Sequence, residues 1–194
     1  MPTINIFGTK GGVGVTTLTA ALAYHLADRR TVEVNARVDE LDSLAAALGC
    51  GTQPETGTVI TNGLWFGDRP GSPAEIVIND CGTNVAEVGL TAPGDLNLLV
   101  TRACYLGLRR FIRGVGEEDR TRFAGIVLLE EPGRALGDRE VRDVTGLPIL
   151  TKVPVTDSIA RAIDAGVLGV RTPDPLRRSL DELIAAKVPT PILG

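Results

Sequence analysis

Apolar positions along the chain fall into two alternating patterns. Short continuous runs read as strands: Thr3–Phe7, Thr31–Ala36, Ala74–Asp80, Asp95–Thr101, Phe123–Leu129 and Leu147–Val153. Runs such as Leu96, Leu98, Leu99 and Val100 are apolar on both faces, as expected of a parallel sheet covered on both sides. Between them lie segments of helical period. In Thr16–Arg29, Leu18, Leu22 and Leu26 recur every four residues. Asp42–Leu48 reads as a short helix capped by Asp42 or Ser43 and stopped by Gly49. Tyr105–Val115, Asp138–Val144 (stopped by Gly146), a capped Asp157–Leu168 and Asp174–Ala186 read as further helices. Gln53–Ser72, rich in Gly, Thr and Pro and holding Trp65, reads as loop with a short strand near Val59 or Leu64. Met1–Pro2 and Pro189–Gly194 read as tails. Strand and helix alternate throughout, which predicts an α/β fold: one domain over 1–194 with a doubly wound, mainly parallel sheet flanked by helices.

Composition supports that reading. The chain has 194 residues, 43% of them apolar and only 4% aromatic, which suits a core of small aliphatic side chains between layers. Cys50, Cys81 and Cys104 are odd in number and widely spaced, so neither a disulfide framework nor a zinc site is indicated. No apolar run reaches the roughly 18 to 20 residues that span a bilayer, and no basic leader precedes the first strand. A cytoplasmic protein is expected. A net charge of −4 argues against a chain that coats nucleic acid with its whole surface, while leaving room for a local basic face.

The candidate chemistry lies between the first strand and the first helix. Gly11, Gly12 and Gly14 let backbone N–H groups wrap around phosphate oxygens at a helix N-terminus. Thr16 and Thr17 open the helix, where one hydroxyl can ligate Mg²⁺. A glycine-rich turn of this kind can also be purely structural, and its flanks decide the matter.

Lys10-Gly11-Gly12-Val13-Gly14-Val15-Thr16-Thr17 resembles the deviant Walker A box of the ParA/MinD family, Lys-Gly-Gly-x-Gly-Lys-Thr-Thr. The family's strand-closing acid is matched by Asp80, followed by Gly82. Its late proline turn and helix are matched by Val153-Pro154-Val155-Thr156-Asp157, with Ala162 and Gly166 beyond. The resemblance implies the P-loop NTPase fold, ATP and Mg²⁺ as ligands, and a self-associating protein. It implies that Lys10 is the signature lysine reaching a partner's nucleotide across a dimer. Gly11, Gly12 and Gly14 are then the phosphate cradle, Thr16 a magnesium ligand with Thr17 beside it, and Asp80 the acid holding magnesium through water.

The sequence departs from the family where the nucleotide would be touched. Val15 stands in place of the lysine that bridges β- and γ-phosphates. A charge-assisted hydrogen bond contributes about 1.5 to 3 kcal/mol, so nucleotide binding should weaken by about ten- to a hundredfold and transition-state stabilisation by more. The second strand should end in Asp-x-Asp and instead reads Asn35-Ala36-Arg37, with Asp39 two residues late. The base-reading asparagine is replaced by Leu129 or Glu130. Either the site has lost its catalytic function, or Arg37 swings in to supply the missing charge; the first is preferred. Whether the chain is an enzyme is left open.

Candidate partner surfaces follow. Arg102, Arg109, Arg110, Arg113, Arg120 and Arg122 cluster in sequence against Glu117, Glu118 and Asp119. With Arg109 and Arg113 four apart on a helix, one face can be positive, and Arg109, Arg110 and Arg113 are candidate contacts to DNA phosphates, the alternative being a solvated face balanced by acids. The last helix carries acids on its polar side, so direct membrane anchoring by a basic amphipathic helix is not expected. His25 and Cys81 read as packing residues. The leading expectation is a positioning protein for DNA partition, nucleoid-associated, with weak or absent hydrolysis and a small partner or adaptor protein. The alternatives are a pseudo-ATPase adaptor for pilus or cell-pole localisation, and a true Mg-ATPase with rearranged catalytic residues.

Overall fold

A computed structural model describes residues 2–50, 58–61, 63–67 and 74–187. Among these residues eight strands form one sheet in the order β3-β4-β2-β5-β1-β6-β7-β8. They are β1 (Thr3–Gly8), β2 (Val32–Ala36), β3 (Thr58–Thr61), β4 (Leu64–Phe66), β5 (Ile76–Asp80), β6 (Leu96–Arg102), β7 (Phe123–Glu130) and β8 (Ile149–Pro154). All neighbouring pairs are parallel except β3 and β4. That pair is a hairpin at the sheet edge. The sequence reading allowed one short strand in this Gly- and Thr-rich stretch; the structure places two, and the rest of Gln53–Ser72 lies outside the described residues, as do the tails beyond Pro2 and Lys187.

Among the described residues seven helices fill the connections: α1 (Val15–Ala27), α2 (Leu41–Ala47), α3 (Tyr105–Gly114), α4 (Glu117–Arg120), α5 (Asp138–Thr145), α6 (Asp157–Asp164) and α7 (Asp174–Lys187), with a 3₁₀ turn at Val85–Leu90. Strand alternation divides the core into two layers. Ile4, Ile6, Val34, Ile78, Leu98 and Val100 face α1, α2, α6 and α7. Phe7, Leu99, Ile126 and Leu128 face the 3₁₀ turn, α3 and α5, where Phe7, Phe111 and Phe123 meet edge to face. The expected doubly wound sheet is thus formed, each face covered by its own helices.

Polar side chains in this core are matched across strands. Asn5 lies in register with Asn79 on β5 and Asn97 on β6. It accepts from the Asn79 amide (2.7 Å) and donates to Asn97 (2.9 Å), forming a ladder of amides through the three central strands.

Most helix ends fall within two residues of expectation, and two of the differences have a local cause. α2 begins at Leu41 with Glu40 at the cap position and no side-chain cap, so neither Asp42 nor Ser43 starts it. α6 stops at Asp164, short of Leu168, because Gly166 turns left-handed (φ 63°) and the amides of Gly166 and Val167 bond back to Ile163 (2.9 Å) and Ala162 (3.0 Å). Val167 and Leu168 prolong the apolar pattern without prolonging the helix.

Candidate functional site

Parallel register brings the carboxyl ends of β1, β2, β5 and β6 to one edge. Ile6 and Ala36 both align with Asp80, and Gly8 aligns with Val100. Residues just past those ends must meet, as they do at the ligand crevice of open α/β sheets. The loop after β1 is pinned at its base, where the Gly8 amide donates to Gly82 O (2.8 Å) and the Thr9 amide to Val100 O (3.2 Å). Gly12 (φ 72°) and Gly14 (φ 83°) take left-handed conformations that turn the loop into α1. α1 has no side-chain cap and no acid in its first turn. Its leading amides are therefore available to an anion.

Two cavities adjoin along this loop. One, of about 290 Å³, is lined by Lys10 to Thr17 together with Glu40, Ser43, Gly82 and Thr83. The other, of about 320 Å³, shares Gly12, Gly14 and Thr17 and continues past Arg102 to Leu129, the Val153–Thr156 turn, Ile159, Ala160, Ile163 and Leu176. A phosphate-sized polar cradle thus opens into an apolar slot. Val15 lies in the floor of the cradle, 6% exposed, and packs so closely on Gly8 that a Cβ there would sit 2.5 Å from its Cγ2.

Asp80 ends β5 beneath the cradle with 1% exposure. Its Oδ1 accepts from the Gly82 amide (2.9 Å), while Oδ2 has no hydrogen-bond partner in good geometry among the described residues. Burial raises its pKa; the neighbouring Thr16 hydroxyl and the Gly82 amide offset part of this. A buried carboxylate oxygen left over beside a threonine hydroxyl suits Mg²⁺, which takes oxygen ligands and completes its shell with water and phosphate. Glu40, which the sequence reading overlooked, lines the same cavity. Its pKa is raised by burial and then by Asp80 and Asp39, with Arg37 opposing. Cys81 turns to the other core layer, and burial followed by the charge of Asp80 pushes its thiol up to about 12, so it is inert at neutral pH.

The other predicted residues fall as follows. Lys10 is half-buried on the cradle wall and makes no ion pair among the described residues. Arg37 is not on the cradle: it pairs with Glu87 and with Asp39 (3.2 Å), and those bonds raise its pKa further. Asn35 donates to Glu33 (2.9 Å). At the base-reading position Leu129 supplies apolar wall, while Glu130 pairs with Lys152 (3.0 Å). Arg102 has a role that proximity in sequence did not suggest. It pairs with Glu131 and donates to Gly12 O (2.6 Å). Because a peptide's C=O and N–H point oppositely, holding that carbonyl outward leaves the next amide facing away from Arg102.

The six-arginine cluster splits in two. Arg120 caps Val115 O and Ile112 O over the Phe111 ring, Arg122 pairs with Asp119, and Arg102 braces the loop. Arg109, Arg110 and Arg113 are exposed on α3 with no ion pair to a carboxylate among the described residues. Arg109 lies over the exposed ring of Tyr105, 5.8 Å from its centroid. No helix among the described residues is long and apolar enough to cross a membrane.

No protein-family model matches the sequence, and no curated protein matches it. Solved structures do. A chain of the MinC:MinD cell division complex from Aquifex aeolicus superposes with a TM-score of 0.77 at 18% identity, covering 98% of both chains. Cyanothece McdA, in a complex with ATP, gives 0.74 at 16% identity over 96% of each. A ParA family ATPase from Chlorobium tepidum TLS gives 0.73 at 16% identity over 92% of this chain and 95% of the other. The chain therefore has the P-loop fold of the ParA and MinD ATPases.

Proposed function

We propose that the chain is a ParA/MinD-type positioning protein that self-associates, binds DNA non-specifically in partition, and holds nucleotide weakly without productive hydrolysis. The observation that carries this reading is the cradle itself. Its left-handed glycines, uncapped helix and buried Asp80 are in place, while the group on its floor is an apolar valine. ATP would lay its phosphates on the loop and its base in the apolar slot beyond it. Thr16 and Asp80 are the residues to hold Mg²⁺, which would draw charge from the phosphates. Arg37 does not replace the missing ammonium, since it is occupied by Glu87 and Asp39, and Lys10 on the cradle wall is the cation this reading assigns to the partner. Water activation is likewise unsupported, with Asn35 and Arg37 where acids would be needed.

Self-association runs through the loop face, with Lys10 as its cation. The cargo face is α3, where Arg109, Arg110 and Arg113 stand clear of carboxylates beside Tyr105, a combination that favours phosphate contact and stacking. A mobility shift with random duplex DNA tests the cargo, alongside the oligomeric state with and without ATP. The expected outcome is salt-dependent, sequence-independent binding by a dimer. Dimerisation that needs no nucleotide and brings no DNA affinity would replace this reading with the adaptor one.

A further inference from the structure

We propose that Arg102, anchored by Glu131, is the positioning residue of the phosphate loop: it holds the Gly12 carbonyl out of the cradle and so keeps the loop ready for an oligophosphate. The role presupposes that the loop takes phosphate, as proposed above, and adds to it a side chain on β6 that the resemblance does not assign. Arg102 stands two residues beyond Val100, which pairs with Gly8 at the end of β1, and so lies beside the loop that leaves β1. From there its Nη2 donates to Gly12 O (2.6 Å), while Nη1 pairs with Glu131 just past β7. Glu131 is held in turn by Arg134, whose Nε donates to Oε2 (2.5 Å).

These side chains are drawn in from solvent. Those of Arg102 and Glu131 are 26% and 15% exposed, and Arg102 Nε is buried with no partner in good geometry among the described residues. A buried N–H without a partner is costly, and an arginine turned to solvent would avoid that cost. Two guanidinium groups share one carboxylate, so the cluster keeps positive charge beside the loop.

The loop's own freedom makes the tie matter. Gly12 is left-handed (φ 72°), and a glycine lets the peptide that follows it turn over at little cost. In one orientation that peptide offers the Val13 N–H to the cradle, and in the other the Gly12 oxygen, which repels an anion. Arg102 lines the slot and not the cradle, whereas Val13 lines the cradle and not the slot. A Gly12 carbonyl bonded to Arg102 therefore leaves the Val13 amide on the cradle side. No other side chain among the described residues bonds to the backbone of residues 10–14, and Val15 has no donor to offer a carbonyl.

Inorganic pyrophosphate, which leaves the slot empty, is titrated calorimetrically into the full chain, Arg102→Ala and Glu131→Gln, each checked for folding by circular dichroism. Arg102→Ala should bind about tenfold more weakly, as the loss of one charge-assisted hydrogen bond would give. Glu131→Gln separates positioning from charge, and decides alone if Arg102→Ala does not fold. It makes the cluster more positive, so a guanidinium acting only through its field would bind pyrophosphate more tightly. A guanidinium that needs its anchor to hold the carbonyl binds more weakly, and that is the expected result. Affinity unchanged or raised in Glu131→Gln, or unchanged in Arg102→Ala, overturns the role of Arg102 and leaves the loop a phosphate site. A wild type that binds no pyrophosphate overturns both.

Discussion

Val15 packs over Gly8 at the base of the loop and leaves no room there for a side chain. Replacing Gly8 by alanine would set a Cβ 2.5 Å from Val15 Cγ2 and 2.9 Å from Val13 Cγ2, both on buried residues. Overpacking of this kind costs about 1 to 3 kcal/mol. Urea unfolding should show Gly8→Ala destabilised by that amount, and Gly8→Ala with Val15→Ala less destabilised than the sum of the single changes, since neighbours in contact couple. Simple additivity would mean that the loop relaxes away from the contact. The glycines, Val15 and Asp80 were legible in the sequence because each sits at a fixed offset from a strand or helix end. Glu40 and Arg102 were not. Their roles arise only when strands distant in sequence end side by side, and neither spacing nor composition carries that register.

At the scale of elements, the alternation of apolar runs and helical periods foretold the layers, because parallel strands covered on both sides leave few polar positions to confuse the pattern. It failed where other interactions decide. The β3–β4 hairpin is made of two very short strands at the edge, where the pattern predicts one strand near Val59 or Leu64 and both positions turn out to be strands, and α6 is ended by a left-handed glycine rather than by a change in hydrophobicity. The α1–α2 contact offers a pH test. The Tyr24 hydroxyl donates to Leu48 O (2.5 Å), and burial, followed by Cys50, raises its pKa above 10.0. The folded state then holds this proton to higher pH than the unfolded state, so the contribution is complete below pH 10 and is lost as pH rises from there through the folded pKa. Tyr24→Phe should cost about 1 kcal/mol at pH 7, and chemical denaturation should show that difference shrinking above pH 10. A constant difference would contradict the assignment.

The α3 face makes a second prediction at this scale. Arg109→Ala, Arg110→Ala and Arg113→Ala should each weaken binding to any duplex sequence and lower the slope of log affinity against log salt by about one. Arg120→Ala should reduce stability instead, because that guanidinium is spent on Val115 O, Ile112 O and the Phe111 ring. Equal effects of all four changes on DNA binding would mean that net charge rather than the α3 face makes the contact.

On the proposed reading the whole molecule combines a complete scaffold with an altered chemical centre. Its fold matches ParA and MinD ATPases over nearly the full length at 16 to 18% identity in the comparisons above. In the proposed reading the departures lie at the carboxyl ends of the strands: valine in the loop after β1, an amide within β2 and a paired arginine just after it, and leucine near the end of β7. On that reading the core packing is kept, Val15 itself belonging to it, and the scaffold would serve assembly and cargo binding without turnover. Calorimetry with ATP and Mg²⁺, paired with a turnover assay, compares the wild type with Val15→Lys. The account predicts weak ATP binding without turnover in the wild type, and affinity improved about tenfold or more in Val15→Lys, as one charge-assisted hydrogen bond to phosphate would give. Micromolar binding with magnesium-dependent hydrolysis by the wild type would contradict it.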